Sequence, residues 1–219
     1  MKKIIALLLL FCLGSVLVFA VDYGIGFFTD FNYQYADWKA VFPVQTFKDS
    51  QKIGFWGIKS FIDVQYAVIN FGIKGSVTKT DLRDLYTGLV LRPDISTVYM
   101  TLGVLGKYPF KLKSIRLFPQ AGFEGDFIFS YKEGGTNFEV NTAAQEDWNR
   151  HWFDFGLGAD IPVGKSGKLF LRPQTLFGLA LNKPAYIKKA KADVEAAGGS
   201  FSYNSFRFNI GLGAFFQIN

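Results

Sequence analysis

Only one cysteine, Cys12, and one histidine, His151, occur among the 219 residues. Cys12 lies in an amino-terminal stretch expected to be cleaved off, so what remains would have no disulfide, no thiolate metal ligand and no cysteine nucleophile. One histidine with scattered carboxylates is too little for a zinc site, and nothing marks a cofactor. Charged residues are also scarce, at 19%, and the net charge of +6 comes from basic residues spread along the chain. That spread gives no reason to expect a nucleic-acid partner. Beyond residue 20 no stretch approaches the roughly 20 apolar residues of a membrane-crossing helix, although 49% of the chain is hydrophobic and 18% aromatic. The hydrophobicity must therefore be divided among many short segments.

The first twenty residues have the layout of a secretory signal: Lys2 and Lys3, an apolar run from Ile4 to Leu13, then Val18 and Ala20 before a cleavage point. The expected organisation is a signal peptide over 1–20 and one domain over 21–219, with the processed chain starting at Val21. Phe11 precedes Cys12 where a lipidation site needs a small residue, which argues against a lipoprotein.

The rest of the chain alternates with period two in eight segments, the signature of half-buried strands. Ile25, Phe27, Phe31 and Tyr33 alternate with Gly24, Gly26, Asp30 and Asn32, and Phe206, Phe208, Ile210 and Leu212 with Arg207, Asn209, Gly211 and Gly213. The intervening segments expected at 35–52, 65–66, 79–96, 109–114, 131–150, 163–168 and 182–204 run long, short, long, short. Strands of this length joined in this way predict an all-β fold, an eight-stranded antiparallel up-and-down transmembrane β-barrel with four long external loops. Both termini would then be periplasmic.

Periodicity alone does not say which face points inward; residue type does. The polar face carries many glycines, which weaken a solvated strand but suit the crowded interior of a small barrel. It also carries six acids (Asp30, Asp63, Glu124, Asp126, Asp154, Asp160) and six bases (Lys59, Lys74, Lys107, Arg116, Arg172, Arg207). Equal numbers predict a luminal charge network, since an unpaired buried charge costs several kcal/mol. Asp30 and Arg207 are expected to meet directly or through one neighbour, and Asp160 to lie between Arg116 and Arg172. The opposite face has no charge in the strand bodies, and Tyr23, Tyr33, Trp56, Tyr108 and Phe206 fall near strand ends, where interfacial girdles lie.

The ending Gly213-Ala214-Phe215-Phe216-Gln217-Ile218-Asn219 resembles the carboxy-terminal assembly signal of outer-membrane barrels. It departs from that pattern at Gly211, where a polar residue is usual, and at Asn219, where an aromatic is. With the eight alternating segments, the chain resembles the small barrel group that includes the OmpA membrane domain and OmpX. Segments 61–66 and 117–122 resemble uncharacterised barrels of spirochaetes. The resemblance implies outer-membrane lipids as surroundings and recognition of the last strand by the barrel-assembly machinery.

Catalytic chemistry needs a base beside a hydroxyl or an activated water. His151 lies in Trp148-Asn149-Arg150-His151-Trp152 with Asp147 and Asp154 nearby in sequence, but nothing marks a serine partner. It reads as a histidine of the aromatic belt, and no enzyme activity is expected. Pro184 to Gly198 has a proline start, an alanine-rich body and a glycine stop, which predict a short helix with Ile187, Lys191 and Val194 on one face. Its Lys188, Lys189 and Lys191 are candidate contacts for outer-leaflet phosphates or an acidic polymer. Three functions remain open: a non-enzymatic surface or envelope protein acting through its loops, a narrow channel for small or hydrophobic solutes, and a lipid-modifying enzyme. The identity of any host or surface ligand is not legible.

Overall fold

The computed structural model describes residues 23–218, apart from 77–81, 84–89 and 92–94. The expected signal peptide and its cleavage point lie outside the described residues. Eight strands form the wall: β1 (Tyr23–Val41), β2 (Thr46–Val64), β3 (Ala67–Ser76), β4 (Ile95–Lys107), β5 (Ile115–Glu133), β6 (Arg150–Val163), β7 (Leu169–Ala180) and β8 (Ser200–Gln217). Each pairs antiparallel with the next, and β8 pairs with β1 from Gly24↔Gln217 to Val41↔Ser200, so the ring is closed. Closure leaves no free edge within the ring, as a sheet in hydrocarbon requires.

The alternation that sets the pleat also sets the two surfaces. Phe27 is 68% exposed and Phe28 is 4% exposed; Leu157 is 65% exposed and Asp154 is fully buried. Most large apolar side chains of the belt thus point out, while its carboxylates and cations point in, the reverse of a soluble barrel. On β1 the outward positions from Tyr23 to Tyr33 carry no charge, and this eleven-residue stretch matches the 9–11 residues of a tilted transmembrane strand. Outward charges begin farther up, at Asp37 on β1 and Lys52 on β2. Among the described residues no helix is long and apolar enough to cross a membrane; the crossing is made by strands.

At the end of the barrel near Tyr23 and Gln217 the connections are tight. Gln65 and Lys113 take left-handed backbone angles (φ 53° and 57°) in two of them. At the opposite end the expected long loop over 35–52 is corrected to strand: β1 and β2 continue upward as a hairpin joined by residues 42–45. Alternation fades there because both faces leave the bilayer, so the sequence pattern stops while the hydrogen-bond ladder goes on. Segment 131–150 holds a short strand, Thr136–Phe138, paired to β5, and helix α1 (Thr142–Trp148). The Asn141 side chain caps α1 by accepting from Ala144 N at 3.0 Å.

The predicted helix in the last loop is α2 (Ala185–Ala196), beginning after Pro184. Its buried face is Ile187, Ala190 and Val194; Lys191 does not share it and instead pairs with Glu195 at 3.5 Å. The expected Ile187–Lys191–Val194 face is corrected accordingly, since steps of three and four select Ala190 as the middle residue.

A register shift between Val98 and Tyr99 opposite β5 marks a bulge. It turns Tyr131 inward, against Ile53, Phe55, Tyr99 and Ile128, where Trp148 of α1 also packs. This cluster borders the charged part of the lumen, with Lys74 Nζ 5.2 Å from the Phe55 ring centre.

Candidate functional site

The buried charges of the described strands gather in the lumen, in two ion-pair clusters. In the upper one, Lys59 bridges Asp30 (3.1 Å) and Glu124 (2.8 Å), and Arg207 bridges Glu124 (2.9 Å), Asp126 (3.3 Å) and Asp154. Lys74 pairs with Asp126 at 2.7 Å, and Trp152 Nε1 donates to the same carboxylate at 2.6 Å. Asn209 donates to Asp30. In the lower cluster Asp63 accepts from Lys107 and is ion-paired with Arg172, while Asp160 accepts from Arg172 and has Arg116 at 3.3 Å. All twelve sequence-predicted charges therefore stand in the lumen and each has an opposite partner. Arg116 alone is partly open, its side chain 24% exposed at the barrel end that carries the termini.

The expected short link between Asp30 and Arg207 is corrected. They are joined through two residues, Lys59 and Glu124, because Arg207 crosses the lumen toward β5 and β6. Arg207 lies opposite Gln34 in the ladder and Asp30 opposite Gly211, so the two start at different heights. The clusters also divide the charge unequally. The upper one has four carboxylates and three cations, the lower two carboxylates and three cations, and only together are they neutral.

Sequence reasoning missed a second class of luminal residue. Phe28, Phe61, Val68, Leu105, Phe170, Leu176 and Phe215 form a buried cluster inside the barrel. These residues share parity with the charges: Phe61 falls between Lys59 and Asp63, and Phe28 between Gly26 and Asp30. That shared parity was the available signal, and a hydrophobic residue among polar ones hid it. The rings support the cations directly. The Arg172 guanidinium lies 4.4 Å from the Phe215 ring centre and 4.9 Å from that of Phe61, and Lys107 Nζ is 4.8 Å from that of Phe118. Arg207 stacks similarly on Trp152 at 4.8 Å. Such contacts contribute about 2 kcal/mol when desolvated.

Luminal glycines make room for these rings. A Cβ on Gly26 would meet Phe61 Cζ, and one on Gly158 would meet three ring atoms of Phe118, all well inside van der Waals contact. Gly178 likewise leaves space for Asp154 and Arg207. With eight strands the interior is only wide enough for side chains, and here rings and ion pairs occupy it.

His151 is on the outer wall, its ring 5.9 Å from that of Phe127, whereas Asp154 is buried in the lumen. The backbone wall separates them, and no catalytic dyad is formed between them. Asp147 instead accepts from Tyr186 N at 2.9 Å, tying α2 to the end of α1. Among the described residues no group of three or more metal-ligating acids, histidines or cysteines occurs. Lys188 and Lys189 are exposed on α2, away from its buried face, and Lys191 is half-buried.

No protein-family model and no curated protein matches the chain. Solved structures with a similar outline include Neisserial surface protein A, at 10% identity over 88% of this chain and 97% of that one, with a TM-score of 0.43. The outer membrane protein OprG from Pseudomonas aeruginosa is 11% identical over 89% and 97%, with a TM-score of 0.41. A major outer membrane protein from Thermus thermophilus is 12% identical over 87% and 99%, with a TM-score of 0.39. These are likenesses of outline, and the fold assignment rests on the closed ring of strands itself.

Proposed function

We propose that this chain is a non-enzymatic integral protein of a bacterial outer membrane, whose sealed barrel carries an interaction surface on its outer end. The observation that supports this reading most strongly is the inverted barrel: an apolar exterior around a lumen occupied by twelve paired charges and a ring cluster. A protein so built is stable in lipid and has no continuous space for solute flow. Both termini belong to the periplasmic side, where connections are short, and the hairpin extension, α1 and α2 stand on the cell surface. Outer-membrane lipids surround the wall, and the last strand is the segment read by the assembly machinery.

The surface partner is an anionic one, phosphate groups of the outer leaflet or an acidic polymer. Lys188 and Lys189 project from α2 on the side opposite its packed face, and Lys191 flanks them. Such contacts weaken with salt, because exposed charges are screened over about 8–10 Å at physiological ionic strength. Retention of the detergent-solubilised barrel on immobilised heparin tests this. The wild type is expected to elute at higher salt than Lys188→Glu/Lys189→Glu, and identical elution would refute the anionic partner. Labelling of these lysines by a membrane-impermeant reagent on intact cells checks which end faces out.

A further inference from the structure

At the barrel end that carries the termini, the connections over residues 65–66, 108–114 and 164–168 hold Lys111, Lys113, Lys165 and Lys168 and no acid. The short strand Phe110–Leu112 pairs with the start of β5 and sets Lys111 directly opposite Arg116. On its other side Arg116 stands opposite Asp160. Residues directly opposite share a face of the sheet, so Lys111, Arg116 and Asp160 form a row across three strands. Beside this row is a cavity of about 170 Å³ whose lining includes Asp63, Lys107, Lys111, Arg116 and Asp160.

Both carboxylates of the lining are already engaged. Arg172 is ion-paired with Asp63 and Asp160 together, and Lys107 donates to Asp63. Arg116 reaches Asp160 only at 3.3 Å, and its Nε and Nη2 make no hydrogen bond. Lys111 is exposed and, among the described residues, pairs with no carboxylate. Four cations (Lys107, Lys111, Arg116, Arg172) thus meet two carboxylates, a local surplus of two positive charges. Lys111 is not one of the twelve luminal charges, whose sum is zero, so its own charge stays unmatched however the upper cluster is counted.

We propose that this cavity binds a small tetrahedral oxyanion of the phosphate class, taken from the solvent at this end of the barrel. A doubly charged anion balances the local surplus, which a carboxylate monoanion does not. Like charges directly opposite one another destabilise a strand pair, and an anion between Lys111 and Arg116 removes that cost. The cavity has the volume of roughly five water molecules, room for an ion of four oxygens. The guanidinium carbon of Arg116 lies 4.5 Å over the Phe170 ring centre, a contact that uses none of its N–H donors. Guanidinium suits such an oxyanion because its planar fork matches phosphate geometry, while the ammonium of Lys111 adds a point charge. Asp63, Lys107, Arg116 and Asp160 all have luminal parity, so the cavity lies inside the ring of strands, and the wall separates it from headgroups anchored in the bilayer. The site goes beyond the anionic contact proposed for α2 and shares no residue with it.

The test uses the full-length barrel in a nonionic maltoside detergent near neutral pH, with ionic strength held constant by chloride. Calorimetric titration is expected to give saturable one-to-one binding of phosphate and of sulfate, with acetate at least tenfold weaker. Lys111→Gln is expected to weaken phosphate at least fivefold. Lys165→Gln, the same charge change in another turn at this end, is expected to alter it less than twofold. Arg116→Lys keeps the charge and removes the planar fork, and is expected to weaken phosphate severalfold. Lys188→Glu/Lys189→Glu is expected to leave phosphate affinity unchanged, which separates this site from the contact on α2. Phosphatidylglycerol added to the micelles is expected not to displace phosphate. Absence of saturable phosphate binding, equal weakening by Lys111→Gln and Lys165→Gln, acetate binding as tightly as phosphate, or displacement by the lipid would each overturn the assignment.

Discussion

At the scale of single residues, space and charge are matched inside a narrow tube. Gly158 faces Phe118, whose ring lies 5.2 Å from the Arg172 guanidinium. Gly158→Ala is expected to destabilise the barrel by about 1–3 kcal/mol through overpacking. Phe118→Leu in the same chain removes the colliding ring atoms and should return part of that loss, which a double-mutant cycle on urea unfolding measures. Charge is tested at Asp160, which accepts from Arg172 and lies beside Arg116. Asp160→Asn leaves the lower cluster with three cations and one carboxylate, and a loss of about 3–5 kcal/mol is expected where the site is dry. Glu195→Gln, which removes only a helix-surface pair with Lys191, should shift stability by no more than about 0.5 kcal/mol. The inward charges can be read from sequence because they alternate with large apolar residues. Phe28, Phe61 and Phe215 cannot be read so easily, because a ring inside the tube and a ring in lipid have the same hydrophobicity and differ only in parity.

At the scale of elements, the strands are legible where one face meets lipid and illegible where neither does. From Tyr23 to Tyr33 alternation marks β1 unambiguously; from Gln34 to Val41 the strand persists, held by pairing to β2 and β8, while its pattern becomes mixed. The α2 helix is legible from its proline start, alanine body and glycine stop, but its packed face depends on the wall it meets. The lipid face of a strand has its own test. Phe71 lies outward on β3, 59% exposed, between the outward Ile69 and Ile73. Phe71→Lys should cost about 2–4 kcal/mol near the bilayer midplane, while Trp56→Lys, opposite Phe31 at the upper edge of the apolar belt, should cost about 0–1 kcal/mol. Folding yield into liposomes, read by the migration difference between unheated and boiled samples, is expected to fall sharply for the first and little for the second. Phe71→Leu should assemble as the wild type does. Equal yields for the two lysine variants would mean that Phe71 does not face the hydrocarbon.

At the scale of the whole molecule, the two clusters join all eight strands: β1, β2, β3, β5, β6 and β8 contribute to the upper one, and β2, β4, β5, β6 and β7 to the lower. Rings lie between and around them, and Trp148 and Tyr131 pack against Ile53, Phe55, Tyr99 and Ile128. The architecture was open to sequence reasoning because a closed ring needs only local alternation and short turns. The end opposite the termini was not, because it is built from segments whose arrangement depends on contacts far apart in the chain, as between Trp38 and Phe201. The central claim is that paired charges and packed rings seal the lumen. Single-channel recording of the wild-type protein in planar bilayers tests it most directly: no unitary conductance steps are predicted, and a steady ohmic conductance that scales with bulk salt would contradict the sealed barrel.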